Sequence, residues 1–458
     1  MHYRFTTILL TTAIVAVSSH ASLAQVGSSQ AVALTHVTVI DGTGAAPRAN
    51  VTILIQNGRI VDVRPAAAGV PHGTTITDLS GRYVIPGLID AHVHLGTQPR
   101  PEGVMEAILR ASFLGGVTSV RDMGGQYQIV RRLAELGRND TIPMPRVSFA
   151  AVVAGPGMWL DGDRAPFFAG GTTPGESPTI RRLLDTSDVA PAVASARASG
   201  ATGIKIYNAI DSTLLRAVAS AARRSGLRVW SHLYVDPGRA GNVVEAGAEV
   251  VSHADMFVSE VVPQSARRGS VSEYRAARHS AYLDTTTVRS APVQRLIAAM
   301  KARGTILDPT LFVMRPGADS MGRIDQRHAA LFRSAAEFVR SAHRAGVDID
   351  AGTDALGGST PNIHVELQLL VDSVGMSPLQ AIRAATQVGA RALGMSDSLG
   401  TLTPGKKADL VILSADPTLD IANTITVLAV MKAGRIYERP RPMSPPPGAR
   451  PPRVIPQP

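Results

Sequence analysis

Six times in the middle of the chain a helical stretch stops at glycine and an apolar strand follows within a few residues. Leu114-Gly115-Gly116 leads into Val117-Thr118-Ser119-Val120. Ser199-Gly200 leads into Gly203-Ile204-Lys205-Ile206-Tyr207, and Ser225-Gly226 into Leu227-Arg228-Val229-Trp230. Ala246-Gly247 leads into Ala248-Glu249-Val250-Val251, Arg303-Gly304 into Thr305-Ile306-Leu307, and Ala345-Gly346 into Val347-Asp348-Ile349. Glycine after a helix adopts the left-handed conformation that ends it. Strands alternating with helices pair in parallel through right-handed crossovers. With an apolar strand at 84–95 and another from Val147 to Val152, the count reaches eight. This predicts an α/β fold, a (β/α)8 TIM barrel over residues 84–397; the 458 residues suit a barrel of about 250 with additions.

The two ends of the chain read differently. Val37-Thr38-Val39-Ile40 and Val51 to Ile55 are strand-like, and Asn57-Gly58 signals a hairpin turn before Arg59 to Val63. Asp409 to Leu413 and Val427 to Met431 are again strand-like, and Ala433-Gly434-Arg435-Ile436 echoes Asn57-Gly58-Arg59-Ile60. Residues 31–83 and 398–440 are therefore expected to form one small β-sandwich domain from both ends. The Pro- and Arg-rich residues 441–458 lack apolar periodicity and read as a disordered tail. Residues 1–24 carry a basic start at Arg4, a short apolar run from Thr6 to Val17, and small residues at Ser22 and Ala24. This is the pattern of a secretory signal, and it predicts a periplasmic or secreted protein. The apolar run is short for a membrane span, and no stable membrane insertion is expected. There is no cysteine, hence no disulfide and no lipid-bearing cysteine. The net charge of +10 comes from scattered arginines with no aromatic interleaving, which argues against a nucleic-acid partner. A small-molecule substrate is the expected partner, with a homo-oligomer left open. Two insertions, Gly155 to Ser177 and Ser259 to Arg289, follow strand ends, where barrel enzymes keep substrate loops; each also reads as unconstrained surface.

The polar residues that close these strands carry the chemistry. His92 and His94 end the first strand with one residue between them, so both imidazoles point to one side. His232 closes the fifth strand, His253 the sixth, and Asp354 follows the eighth. The C-terminal rim is where barrel enzymes hold their sites, and neutral imidazole is a common metal ligand. Lys205, one of only five lysines, sits inside the apolar fourth strand. Buried there, its ammonium must find a carboxylate or lose its proton. A neutral amine adds carbon dioxide to give a carbamate, whose two oxygens suit a bridge between cations.

These residues resemble the metal-dependent amidohydrolase superfamily, nearest its imidazolonepropionase-like branch with exported dipeptidases and N-acyl-amino-acid hydrolases. The resemblance rests on Pro86 to His94, Gly116 to Gly124, Lys205, His232, His253 and Gly352-Thr353-Asp354. Glu366 to Leu370 and Pro404 to Leu410 extend it, so it covers roughly residues 31–440. It implies two divalent ions, zinc first, with manganese, cobalt or nickel as alternatives. His92, His94 and Asp354 would hold one ion and His232 and His253 the other, with carbamylated Lys205 between them. It further implies a metal-bridging hydroxide as nucleophile and Asp354 as the catalytic proton carrier. Ser252-His253-Ala254 departs from the more usual Glu-His-Gly, leaving the surroundings of His253 open. Imidazolonepropionase itself is cytosolic and lacks the lysine, so its substrate is not carried over.

The expected function is hydrolysis of amide bonds in dipeptides or N-acyl amino acids. Alternatives are an ester, lactone or organophosphate hydrolase on the same site, or an inactive metal-binding relative. Tyr207, on the same strand face as Lys205, is a candidate substrate contact or a barrel-layer aromatic. His364, opening a helix after the eighth strand, is a candidate substrate contact or a helix-end surface histidine. Arg121 and Asp122 read as a structural ion pair, and Thr386 to Leu393 as a core helix. The signal pattern has a direct check: intact mass of protein recovered from the periplasm is expected to place the mature N-terminus near Gln25, whereas a retained Met1 would contradict it.

Overall fold

Seven strands pair in parallel, side by side in chain order: β1 (Leu88–Val93), β2 (Val117–Asp122), β3 (Arg146–Ala154), β4 (Gly203–Ile206), β5 (Arg228–His232), β6 (Val250–Ser252) and β7 (Ile306–Asp308). The structure is a computed structural model that describes residues 31–97, 100–155, 169–173, 175–317, 325–354 and 362–439. The signal segment, the tail, and the insertion aromatics Trp159, Phe167 and Phe168 lie outside the described residues. The eighth position is taken by the extended segment 347–354. Leu307 N–H donates to Asp348 O and Asp350 N–H to Leu307 O on one side, at 3.0 and 3.1 Å. On the other side Ala91 N–H donates to Ala351 O and Asp354 N–H to His92 O, both at 2.8 Å. These bonds close the barrel.

Helices occupy each crossover, among them Val104–Leu114, Tyr127–Arg138, Ser212–Arg224 and Gln326–Arg344. The expected glycine stops are present; Gly200 and Gly304 end their helices in the left-handed region at φ +85° and +67°. Inside the barrel, Ile89, Ala91, Ala150, Trp230, Val250 and Ile306 form an apolar plug with Val388 to Leu393 of the following helix. The indole N–H of Trp230 donates to Ala392 O at 3.1 Å. Gly203 makes room for that ring: a Cβ there would stand 2.7 Å from it. Between β6 and β7 the polar insertion is helical, Gln264–Arg268 and Val271–Leu283.

The stretch 84–95 is not one strand. Tyr83–Pro86 belongs to the small sheet, pairing with Leu410–Leu413, and β1 begins at Leu88. The break falls at Gly87, where a Cβ would lie 2.1 Å from Thr118 Oγ1. The chain changes domain where only a glycine passes.

The small domain is one hydrogen-bonded sheet curled around its own core of Leu34, Ile53, Ile55, Leu410, Ile412 and Met431. Strands from the N-terminal end lie to one side of Tyr83–Pro86 and those from the C-terminal end to the other. The two echoed turns meet: Ala408 donates its N–H to Gly58 O and accepts from Gly434 N–H. Lys432, fully buried, crosses to the barrel. Its ammonium donates to the carbonyls of Gly137, in the last turn of Tyr127–Arg138, and of Asn139, Ile142 and Met144 just beyond it. Arg146, at the start of β3, pairs with Asp409 at 3.1 Å and Asp140 at 2.6 Å.

Substitution at the crossing glycine tests this account. Gly87→Ala forces a methyl into Thr118 and is expected to destabilise by about 1–3 kcal/mol, read as a lowered denaturation midpoint. Gly317→Ala, whose added methyl meets no atom of the described residues within 4 Å, is expected to leave the midpoint unchanged.

Candidate metal centre at the barrel rim

Each polar strand end delivers its side chain to one place. His92 lies on β1, and His94 follows with ring centroids 5.3 Å apart. Lys205 reaches in from β4, with Nζ 3.5 Å from His92 Nε2. His232 ends β5, and His253 follows β6. Their rings lie 4.7 Å apart, and His253 is 5.1 Å from His92. Asp354 Oδ1 stands 3.2 Å from His94 Nε2 and 3.6 Å from His92 Nε2, and Oδ2 3.9 Å from His253 Nδ1. All six residues singled out from the sequence thus form one contiguous group. His92, His94 and Asp354 offer ligand atoms within 4.8 Å of one another.

The backbone is bent to achieve this. His253, Thr310 and Asp354 have φ of +73°, +52° and +51°, a region non-glycine residues seldom occupy and which is held only where the surroundings impose it. Gly352 lets the eighth segment approach: a Cβ there would lie 2.4 Å from Asp308 Oδ1 and 2.6 Å from His92 Cβ. Asp90, from the same motif as the two histidines, accepts from Thr353 N–H at 3.0 Å and Thr353 Oγ1 at 2.8 Å. The motif of β1 therefore grips the motif that carries Asp354.

Burial sets the protonation states. It drives the His92 imidazole down to about 3, with Lys205 adding to the effect, and holds His232 and His253 low as well. Neutral imidazoles result, the form that ligates a cation. At Asp354 burial works upward, but His92, His94 and His253 outweigh it and keep the carboxylate ionised. Burial lowers the Lys205 amine from 10.5 to about 8. Among the described residues no carboxylate forms an ion pair with Lys205; its close polar neighbour is His92 Nε2.

These residues fit divalent metal. Neutral imidazoles and an ionised carboxylate, without sulfur, are a donor set for first-row ions. Among the described residues the buried Nδ1 of His232 has no hydrogen-bond partner, a state native proteins seldom leave uncompensated.

Other expectations fare differently. Tyr207 sits at the site, its ring 4.2 Å from that of His232. His364 does not reach it. It is buried, with Nδ1 2.9 Å from Thr424 Oγ1 and Nε2 2.9 Å from Gly115 O, so neither the substrate contact nor the surface position holds. Arg121 and Asp122 are not paired with each other. Adjacent strand residues face opposite ways, and Arg121 meets Asp308 at 3.2 Å while Asp122 accepts from Leu95 and Gly124 N–H. Asp308 was missed. It lies fully buried in β7, 2.7 Å from His92 Nδ1, and Ser252, the departure beside His253, donates to it at 2.9 Å. Its signal was the one that marked Lys205, a charge inside an apolar strand. Burial pushes Asp308 upward, but His92 and Arg121 prevail and it stays anionic. Its neighbour Asp350 is raised well above the usual range by burial and by Asp308.

Comparison with known proteins agrees with the fold. The model of the Amidohydrolase family matches residues 83–437. An imidazolonepropionase of Xanthomonas campestris pv. campestris is 26% identical over 388 residues, 81% of this chain and 88% of that protein. The crystal structure of a Xaa-Pro dipeptidase with bound methionine superposes with a TM-score of 0.68 at 23% identity, covering 89% of this chain and 100% of the other. Phenylurea hydrolase B gives 0.68 at 24% identity, with 90% and 97% covered.

The lowered Lys205 amine has a measurable consequence. In metal-free protein the unfolded chain binds this proton up to about 10.5 and the folded chain only up to about 8. Between those values the unfolded state holds more protons, so this group makes stability rise with pH. Lys205→Met is expected to flatten that rise, seen in denaturation midpoints across the window; an unchanged slope would contradict it.

Proposed function

The chain belongs to the amidohydrolase family, and on that premise we propose that it is a two-metal hydrolase cleaving amide bonds of dipeptides or N-acyl amino acids. The family match supports a hydrolase acting on carbon–nitrogen bonds. The observation that carries the finer reading is the gathering of His92, His94, Lys205, His232, His253 and Asp354 into one desolvated group. His92, His94 and Asp354 would hold one ion, His232 and His253 the other, and the carbamate of Lys205 would lie between. Zinc suits this donor set first. Bound there, divalent ions supply a nucleophilic water at neutral pH and polarisation of the scissile carbonyl.

The chain's own residues do the rest. The buried amine of Lys205 loses its proton more readily than an exposed one. Its nitrogen attacks carbon dioxide, an N–C bond forms, and a proton leaves to give an anionic carbamate. Asp354, ionised at the rim, takes a proton from the attacking water and hands it to the departing amine. Tyr207, beside His232, is the residue assigned to substrate contact. The segment 1–24 supports export, which would place the reaction outside the cytoplasm.

Three measurements test the reading. Elemental analysis of protein prepared without chelator is expected to give two divalent ions per chain; one ion with full activity would sink the two-metal mechanism. A panel of dipeptides and N-acyl amino acids, run beside esters, lactones and organophosphates, decides the bond; turnover confined to the latter three would move the enzyme to the other class. Lys205→Ala is expected to lose activity and metal. High acetate or propionate with added metal should restore part of it, but should not restore Asp354→Ala. Wild-type activity and metal content in Lys205→Ala without added acid would make Lys205 structural.

A further inference from the structure

The sequence motif that ends β2 has no part in the mechanism above, yet its two charged residues are fully buried beside the site. We propose that Arg121 and Asp122 are positioning residues, each fixing the tautomer of one β1 histidine: Arg121 acts on His92 through Asp308, and Asp122 on His94 through Gly124. The role rests on reading those histidines as metal ligands.

Successive side chains of a strand point to opposite faces, so the pair divides its work. On one face the Arg121 guanidinium lies 4.9 Å from the Trp230 ring centroid, donates to Ala91 O at 2.5 Å, and donates to Asp308 Oδ2 at 3.2 Å. The same oxygen takes Ser252 Oγ at 2.9 Å and His92 Nδ1 at 2.7 Å. An ionised carboxylate only accepts, so His92 must carry its proton on Nδ1. Its Nε2 lone pair is then left toward Lys205 and Asp354.

On the other face Asp122 Oδ2 accepts from Leu95 N–H at 2.6 Å and Oδ1 from Gly124 N–H at 3.0 Å. This folds the turn after β2 so that Gly124 O stands 2.9 Å from His94 Nδ1. A carbonyl also only accepts, so His94 offers it Nδ1–H. The Asp354 carboxylate, 3.2 Å from Nε2, competes for that proton until an ion takes the place between them, and the ion-bound ring carries its proton on Nδ1. Partners that orient ligating imidazoles are typically worth about 10–100-fold in metal affinity.

The test reads the protons directly. In zinc-loaded protein labelled with 15N-histidine, long-range 1H–15N correlation reports which ring nitrogen carries the proton, with His92→Gln and His94→Gln for assignment. Wild type is expected to show Nδ1–H at both. Asp308→Ala and Arg121→Met should disturb His92 alone, and Asp308→Asn, which keeps an acceptor oxygen, should restore it. Asp122→Asn has one acceptor oxygen for two N–H groups and should disturb His94 alone. Chelator competition should show ion affinity about 10–100-fold weaker in Asp308→Ala and Asp122→Asn. Nε2–H at either wild-type histidine overturns the proposal, as do variants that shift both rings together or neither. If Asp308→Ala fails to fold, the wild-type spectrum and Asp122→Asn still decide. Should the tautomers behave as stated in a protein that holds a single ion, the two-metal function falls and the positioning role stands.

Discussion

One backbone hydrogen bond, from Asp354 N–H to His92 O at 2.8 Å, joins the last position of the barrel to the first. Through it the carboxylate and the histidines share one rim. It forms because Gly352 lets two backbones come closer than any side chain allows, and because Asp90 clasps Thr353 beside it. The bond from Ala91 N–H to Ala351 O pairs the same two segments deeper in the barrel, but without the one at Asp354 the carboxylate has no fixed place at the rim. The positive φ at Asp354 belongs to the same junction: strain is tolerated where neighbours on both sides over-determine the chain.

The barrel and the six residues at its rim were legible because both obey short periods. Glycine after a helix marks each crossover, and a polar residue ending an apolar strand of known direction must sit at the C-terminal rim. What the sequence hid depends on contacts between distant positions. Asp308 touches His92 across 216 residues, and His364 is taken up by Thr424 and Gly115 across 60 and 249. No local pattern encodes such pairings. The Arg121–Asp122 dipeptide misled for a different reason: adjacency in sequence is opposition on a strand. The break at Gly87 was hidden because Pro86 and Leu88 are equally apolar on either side of it.

The polar insertion after β6 gains meaning from its anchors. Arg278 of Val271–Leu283 pairs with Asp255 at 2.8 Å, and Tyr274 stacks on Tyr234 at 5.3 Å. Tyr234 lies two residues beyond His232, and Asp255 two beyond His253. The helix therefore braces the backbone just past both histidines, which accounts for an arginine- and tyrosine-rich sequence without calling on substrate.

Lys432 places a constraint on how the molecule comes into being. Its ammonium satisfies four carbonyls of the barrel, one of them 295 residues earlier in the chain. Contacts of that separation are the slow ones in folding. A nascent chain that has already made every barrel strand still has the 137–144 stretch with bare acceptors and Asp409 missing from Arg146. The 137–144 stretch thus cannot complete its contacts behind its own synthesis. It waits for the last-made strands of the small sheet, and a truncation that removes Lys432 would strike a stretch between β2 and β3, made some 290 residues earlier.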